Sequence, residues 1–546
     1  MKRLILYISL LATATSCSKF TDINKHTLNI YSNEQIASLD PALITDRYSI
    51  IVVNNIYEGL YGYHYLKHTI IPVLADGFPE QESELSYKIR LRQGIFFADD
   101  PCFKSTNGKG RELVAEDFVY SIKRLLASKN SKDIVANIDA VDKYTIQIEL
   151  KKPSSFFPDV FTLPNTFIVP KEAVEYYSNN FSKHPVGTGP YKLGENKNEN
   201  EYVLIKNSNY HHGVYPSSGE ADDAKKGLTK YAGKNLPLVD RVVIKIITDE
   251  KERWNSFKEG KIDIVTLDKD SYFDAFPVGE KFSEKLAKKG IKVHKITELD
   301  VKYIGFNMSD KIVGKNKYLR QAISLAYDGY KHASLFFNNE AVVANWIIPP
   351  RLFGYDPSYE NPYRRQSLRK AKELLAKAGY PNGKGLPTLT LCTLDSTAAK
   401  QIGEFFAKSL KEIGINIKLV PYDFPSLLKE MNSRKGYQLA TLQWRADLPF
   451  AEDFLRILYG KAMSPGPNRT LFNNKQYNDL YEKVLTMKDS PEKLQYLNKM
   501  RDIAVEECPL IPLVVPYRIV LTQPYVKNYK PAPLDDYDPK YIEIDK

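Results

Sequence analysis

An α/β fold of more than one domain-sized unit is predicted by three observations. The chain has 546 residues, 43% of them hydrophobic and 26% charged, an ordinary globular composition at a length that one hydrophobic core does not fill. Short runs alternate apolar and polar residues, as in YTIQIELK with Tyr144, Ile146, Ile148 and Leu150 on one face. From Tyr303 onward, strand-like and helix-like patterns succeed one another regularly. Such strand–helix–strand repetition predicts a mostly parallel sheet flanked by helices.

Taken in order, 27–31 reads as a first strand and Asp40-Pro41 as a turn. Residues 50–60 form a helix or buried segment ending at Gly59–Gly62. Tyr87, Ile89 and Leu91 make a strand face, and Val114, Phe118, Ile122 and Leu125 fall at helical spacing before the 144–150 strand. PVGTGPYKL (185–193) is a tight turn running into a strand. Residues 211–237 almost lack apolar periodicity and read as a surface excursion or flexible loop. VDRVVIKII, ERWNSFKEG and KIDIVTL give strand, helix ending on Gly260, and strand. YIGFNM and LRQAISLAYD give strand and helix. Leu368, Ala371, Leu374, Leu375 and Ala378 then form one helical stripe with Gly379 as its stop. TLTLCTL is a strand, AKQIGEFFAKSLKEIG a helix with Ile402, Phe405, Leu410 and Ile413 inward, and INIKLV and 437–444 further strands. A long helix, 491–507, precedes CPLIPLVVPYRIVL, an apolar segment broken by prolines.

The formal charge is +11, but the lysines are dispersed beside glutamates. This is the pattern of solvated helix faces, without the dense basic stripe of a nucleic-acid binder. Lys2 and Arg3, a short apolar run and ATATSC make an export signal over 1–17. Ala14-Thr15-Ser16-Cys17 resembles a lipobox, which makes Cys17 the expected lipidation site; cleavage after Ala14 is the competing reading. Cys102, Cys392 and Cys508 remain, too few to pair fully, and none lies in a metal-binding spacing.

No nucleophile elbow, phosphate loop, zinc-protease helix or calcium loop occurs. Gly187-Thr188-Gly189 reads as a structural turn. No catalytic residue, metal site or cofactor is therefore expected. The stretch that draws attention is YQLATLQWRADLPFAEDF. Its strand breaks at Arg445, Asp447 and Pro449, setting Trp444 and Asp447 three residues apart at a strand end. Ligands bind beyond strand ends in open α/β sheets. Asp447 is thus open to two roles, anchor for a cationic ligand group beside Trp444 or cap of the helix that begins near Phe450.

A collinear set of segments carries a resemblance: LDPA (39–42), NIYEGLYGY (55–63), IPVLADGF (71–78), YKIRLRQGIFF (87–97), VAEDFVYSIKR (114–124), PVGTGPYKL, FKEGKIDIV (257–265), YIGFN, LRQAISLAYD, AKELLAKAGYPNG (371–383), LKEIGINIKL (410–419) and WRADLP (444–449). Together they resemble the bacterial oligopeptide/dipeptide-binding proteins, the family 5 extracellular solute-binding subunits of ABC-type peptide importers. The resemblance implies a two-lobed, periplasmic-binding-protein-like fold of the class II type with a third, inserted domain. Lobe I would comprise 20–66, 168–300 and 511–546, the inserted domain 67–167, and lobe II 301–510. It implies a ligand α-ammonium on Asp447, with Trp444 beside it and the backbone around Gln443 and Arg445 as a strand edge. Thr45 and Arg47 would face the ligand from the other lobe, and Tyr303 and Tyr517 would line the cleft. The implied partners are short peptides, a permease with its transmembrane and ATPase subunits, and a membrane reached through the Cys17 lipid anchor. The protein would act as an extracytoplasmic monomer in the periplasm or cell envelope, without nucleic acid and without catalysis. Where relatives carry Tyr and an acid after the Asp, this chain has Leu448 and Phe450. Arg445 replaces a small or apolar residue; it would pair with Asp447 or favour an acidic ligand. Val114 stands where a Thr commonly caps the helix. Other members of the fold bind metal chelates, haem or oligosaccharides, so a non-peptide ligand or a sensor role is the alternative, and an exported hydrolase a third.

Overall fold

The longest strand, Leu510–Thr522, organises the largest sheet. It pairs antiparallel with Ile264–Thr266, Lys292–Thr297, Asp300–Phe306 and Ala341–Val343. In the computed structural model the described residues are 26–44, 46–128, 135–195, 198, 200–211, 213–277, 281–434, 436–534 and 537–546. The apolar segment that prolines were expected to break is thus one continuous strand. Pro512 lies opposite Tyr303, where the pairing shifts register, and a register shift is where a residue without an N–H is tolerated.

Asp300–Phe306 pairs on its other edge with Leu439–Arg445, again antiparallel, and the sheet continues through Leu389–Leu394 to Ile417–Tyr422. Only the last two pairings, between Leu439–Arg445, Leu389–Leu394 and Ile417–Tyr422, are parallel. The prediction of a mostly parallel sheet is therefore corrected to a mixed one. Parallel pairing arises where helices Thr397–Lys411 and Phe424–Ser433 supply the crossovers. It stops at Asp300–Phe306, which pairs antiparallel with Leu439–Arg445 on one edge and with the long strand on the other. On helix Thr397–Lys411 the buried positions are Gly403, Phe406, Ser409 and Leu410, with Ile402 and Phe405 only half-buried. Leu410 and, just past the helix, Ile413 are buried as expected, and only the first half of the expected stripe departs.

Two other four-stranded sheets complete the frame. Thr27–Ser32, Arg241–Ile246, Glu201–Lys206 and Tyr191–Leu193 form one. Glu80–Gln81, Ser86–Arg90, Thr145–Leu150 and Val135–Asp142 form the other, packed by helix Ala115–Ala127. The Gly187-Thr188-Gly189 turn presses on the end of helix Arg47–Ile56. A Cβ on Gly187 would stand 2.1 Å from the Ile56 carbonyl oxygen, so no side chain fits there. Residues 211–237 hold no helix or strand among the described residues, yet Tyr215 and Leu236 are buried with Tyr65, Leu66 and Tyr541. The excursion is anchored by aromatic packing that its sequence pattern did not announce. Cys102, Cys392 and Cys508 are buried free thiols. No helix among the described residues is long and apolar enough to cross a membrane.

Candidate functional site

Strand Leu439–Arg445 delivers its last residues to the edge of the large sheet, where Asp447 follows in a loop. The loop leads into a short helix, Ala451–Leu455, whose N-cap is Phe450 with no side-chain cap bond. Asp447 therefore does not cap this helix. The capping relation runs the other way: the Asp447 backbone N–H donates to Asp453 Oδ2 at 2.9 Å, and the Trp444 indole Nε1–H donates to the same oxygen at 3.4 Å. Asp453 is the residue that sequence reasoning passed over, although it stands six positions after Asp447 in the stretch singled out.

The two carboxyls share an electrostatic predicament. The Asp447 carboxyl is solvent-exposed, yet the protein mass around it raises its pKa by desolvation, with Arg456 opposing. Desolvation, and then the charge of Asp447, push Asp453 up to about 7. Neither forms a salt bridge with a cation among the described residues. Two such carboxyls side by side favour whatever positive group enters between them.

Arg445, one strand end away, turns from Asp447 toward Glu298 (3.4 Å) and the Leu534 carbonyl (3.2 Å). The structure shows the Glu298 pairing and no bond to Asp447. Glu298 lines a cavity of about 120 Å³ with Arg47, Tyr48, Arg518 and Tyr537. Arg47 is exposed and opens helix Arg47–Ile56, a cation at the end of the helix dipole that disfavours it. Beside it Asp300 is buried, with Oδ1 enclosed and unbonded and its carboxyl raised by desolvation. Glu298, Asp300 and Arg518 carry no motif; only the hinge-like convergence of strands collects them.

Trp444 and Asp447 thus meet at Asp453, whereas Arg445 turns to Glu298, which lines a separate cavity with Arg47. Two expected residues join neither group. Tyr303 is 2% exposed inside a core with Val301, Phe454 and Leu455, so it faces packing rather than an open cleft. Tyr517 precedes Arg518 on the same strand; since neighbours on a strand point to opposite faces, it lies away from the cavity, under Lys295 Nζ at 4.2 Å. Thr45 and Cys17 lie outside the described residues.

The frame of sheets is that of a two-lobed solute-binding protein. Residues 69–465 match the model of the bacterial extracellular solute-binding proteins, family 5, and the chain belongs to that family. A glutathione-binding protein, GsiB, of Salmonella paratyphi A is 27% identical over 93% of each chain. A periplasmic binding protein, DppA, of Helicobacter pylori, solved with the peptide STSA, aligns at TM-score 0.76 and 25% identity over 95% of this chain and 98% of its own. A dipeptide-binding protein of Pseudoalteromonas sp. SM9913, solved with Met-Leu, aligns at TM-score 0.75 and 20% identity over 95% and 100%. The two-lobed α/β fold is thereby shown, and the family is one of extracytoplasmic solute-binding proteins.

Proposed function

We propose that this protein captures short peptides by their α-ammonium group and hands them to an ABC-type permease. The observation that carries the reading is the pair Asp447–Asp453. It is an acidic site at a strand end in which Asp453 accepts two N–H bonds and neither carboxyl has an ion-pair partner among the described residues. An incoming ammonium would supply that partner. The guanidinium groups of Arg47 and Arg518 in the neighbouring cavity suit a ligand that also carries carboxylates, and glutathione, named for the 27% identical relatives, combines both charges. It is the first ligand to test.

In this reading lobe I comprises 20–66, 168–300 and 511–546, the inserted domain 67–167 and lobe II 301–510. Closure joins contacts from both lobes on the ligand. The chain is exported, anchored through a lipid on Cys17, monomeric and without catalytic activity. Native mass spectrometry of the purified protein tests it. A ladder of short-peptide masses or glutathione, recovered intact, supports the proposal. A single non-peptide mass replaces it with a metal-chelate, haem or oligosaccharide carrier, and a cleaved peptide with a hydrolase.

A further inference from the structure

The unit built on the 80–150 strands touches the large-sheet unit at one place that the binding site does not require on its face. Residues 153–157 read Pro-Ser-Ser-Phe-Phe. The two phenylalanines part company. Phe157 is buried in the core of its own unit, 4.3 Å between ring centroids from Tyr87 and 5.3 Å from Phe161. Phe156 turns outward and stacks on Phe450, centroids 5.6 Å apart and planes inclined by 27°. Beside it, both the backbone N–H and the hydroxyl of Ser155 donate to the Leu485 carbonyl at 3.0 Å.

Both receiving residues belong to the structure that carries the acid pair. Phe450 is the N-cap of helix Ala451–Leu455, three residues after Asp447 and three before Asp453. Leu485 ends helix Lys475–Val484. That helix grips the shorter one through Tyr481 and Tyr477, whose hydroxyls donate to the Glu452 and Leu455 carbonyls at 3.2 and 2.9 Å. Ser155 and Phe156 therefore clamp the two ends of one small assembly, loop 447–450 and the helix pair beneath it. Ser154 Oγ, next in the chain, is buried without a hydrogen-bond partner among the described residues.

We infer that the inserted unit is a working part of the ligand site: Ser155 and Phe156 latch onto the Asp447–Asp453 assembly when the lobes close and hold the ammonium anchor in place. Phe156 is a positioning residue that acts through Phe450. The inference rests on the peptide-binding reading above and adds a role for a unit that presents no ligand-anchoring residue in that reading. A latch formed on closure slows ligand escape more than it speeds entry, because the encounter occurs in the open form.

The test is stopped-flow binding of glutathione and of Met-Leu to the full-length protein and to Phe156→Ala, Phe450→Ala and the double variant. Each single variant is expected to raise koff about tenfold with kon within twofold. The double variant should match the singles within about twofold, since residues that act through one contact are not additive. A koff within twofold of wild type in Phe156→Ala, or a hundredfold rise in the double variant, overturns the latch. Phe156→Leu, which keeps apolar bulk but not the stack, should fall between, and the unliganded melting temperature separates lost folding from lost latching. Small-angle scattering is the arm that needs no ligand: in the unliganded Phe156→Cys/Phe450→Cys double variant, a disulfide trapping the closed excursions should lower the radius of gyration relative to the reduced form, and identical profiles overturn the latch. If the wild-type protein binds neither probe, the peptide reading fails, and the scattering result alone then decides the latch.

Discussion

Glu452 and Asp453 are adjacent in sequence and opposite in fate. Glu452 is buried against Lys493, Oε1 to Nζ 2.5 Å, with both side chains 4% exposed. Lys493 also meets Asp489 at 2.9 Å. Asp453, one residue on, has two N–H donors and a second carboxyl for company, and no cation in ion-pair range among the described residues. Both acids lie in one short helix of the same assembly. The difference is that one charge is neutralised by the fold itself and the other has no cation beside it among the described residues. A buried charge answered internally is structure; one that accepts N–H bonds and has no cation is where the proposed ammonium would bind.

That contrast breaks most visibly at Lys493. Lys493→Met strands Glu452 in an apolar setting, and removing one partner of a buried pair destabilises by about 3–5 kcal/mol. The urea midpoint should fall accordingly, with ligand selectivity retained wherever the variant is folded. At Asp447 the pattern reverses. Asp447→Asn should leave the midpoint nearly unchanged and weaken free-amine peptides by about 2–5 kcal/mol. N-acetylated peptides should lose little in the same calorimetric titration; equal losses would take the ammonium away from Asp447.

Asp453 sharpens the comparison through pH. Its carboxyl, like that of Asp447, titrates higher in the folded chain than in the unfolded one. Between the ordinary carboxylate range and about 7 the folded state holds more protons. Stability therefore declines as pH rises through that window. A cationic ligand favours the ionised pair, so binding near neutral pH should release protons. Titration calorimetry in buffers of different ionisation enthalpy will read that release for free-amine ligands, and Asp453→Asn should abolish it while keeping an acceptor for the Trp444 and Asp447 donors. The smallest effect is expected at Arg445. Its pair with Glu298 is long, at 3.4 Å, and Arg445→Gln should change stability by about 1 kcal/mol or less, the range of weak ion pairs. A larger loss in glutathione affinity than in Met-Leu affinity would show that this cation also serves ligand carboxylates.

Much of the architecture was legible in the residues. Helix Pro491–Glu507 and strands Thr145–Leu150 and Leu389–Leu394 fall where period 3.6 and period 2 place them, because both periods are local. The mixed direction of the large sheet was not legible, since strand direction depends on which distant segment arrives to pair. On helix Thr397–Lys411 Leu410 faces inward as read, but Ile402 and Phe405 are only half-buried, because Gly403 packs on Leu419 through its lack of a side chain, and an apolar pattern gives a glycine no weight. At the site, Trp444 and Asp447 were recognisable from the broken strand. Tyr303 was misjudged because burial and cleft exposure look alike in an alternating strand. Asp453 was missed because an acid early in a helix is so commonly a favourable partner of the helix dipole that it draws no notice.

The chain by itself determined its elements, its family resemblance and one of the two acids, all properties of neighbouring residues or of segments kept in order. The tertiary structure alone decided that Asp453 meets Asp447, that Arg445 turns to Glu298, and that Phe156 reaches Phe450 across nearly three hundred positions. Charge and contact act through space over a few ångströms, and only the folded backbone converts a distance along the sequence into a distance of that size.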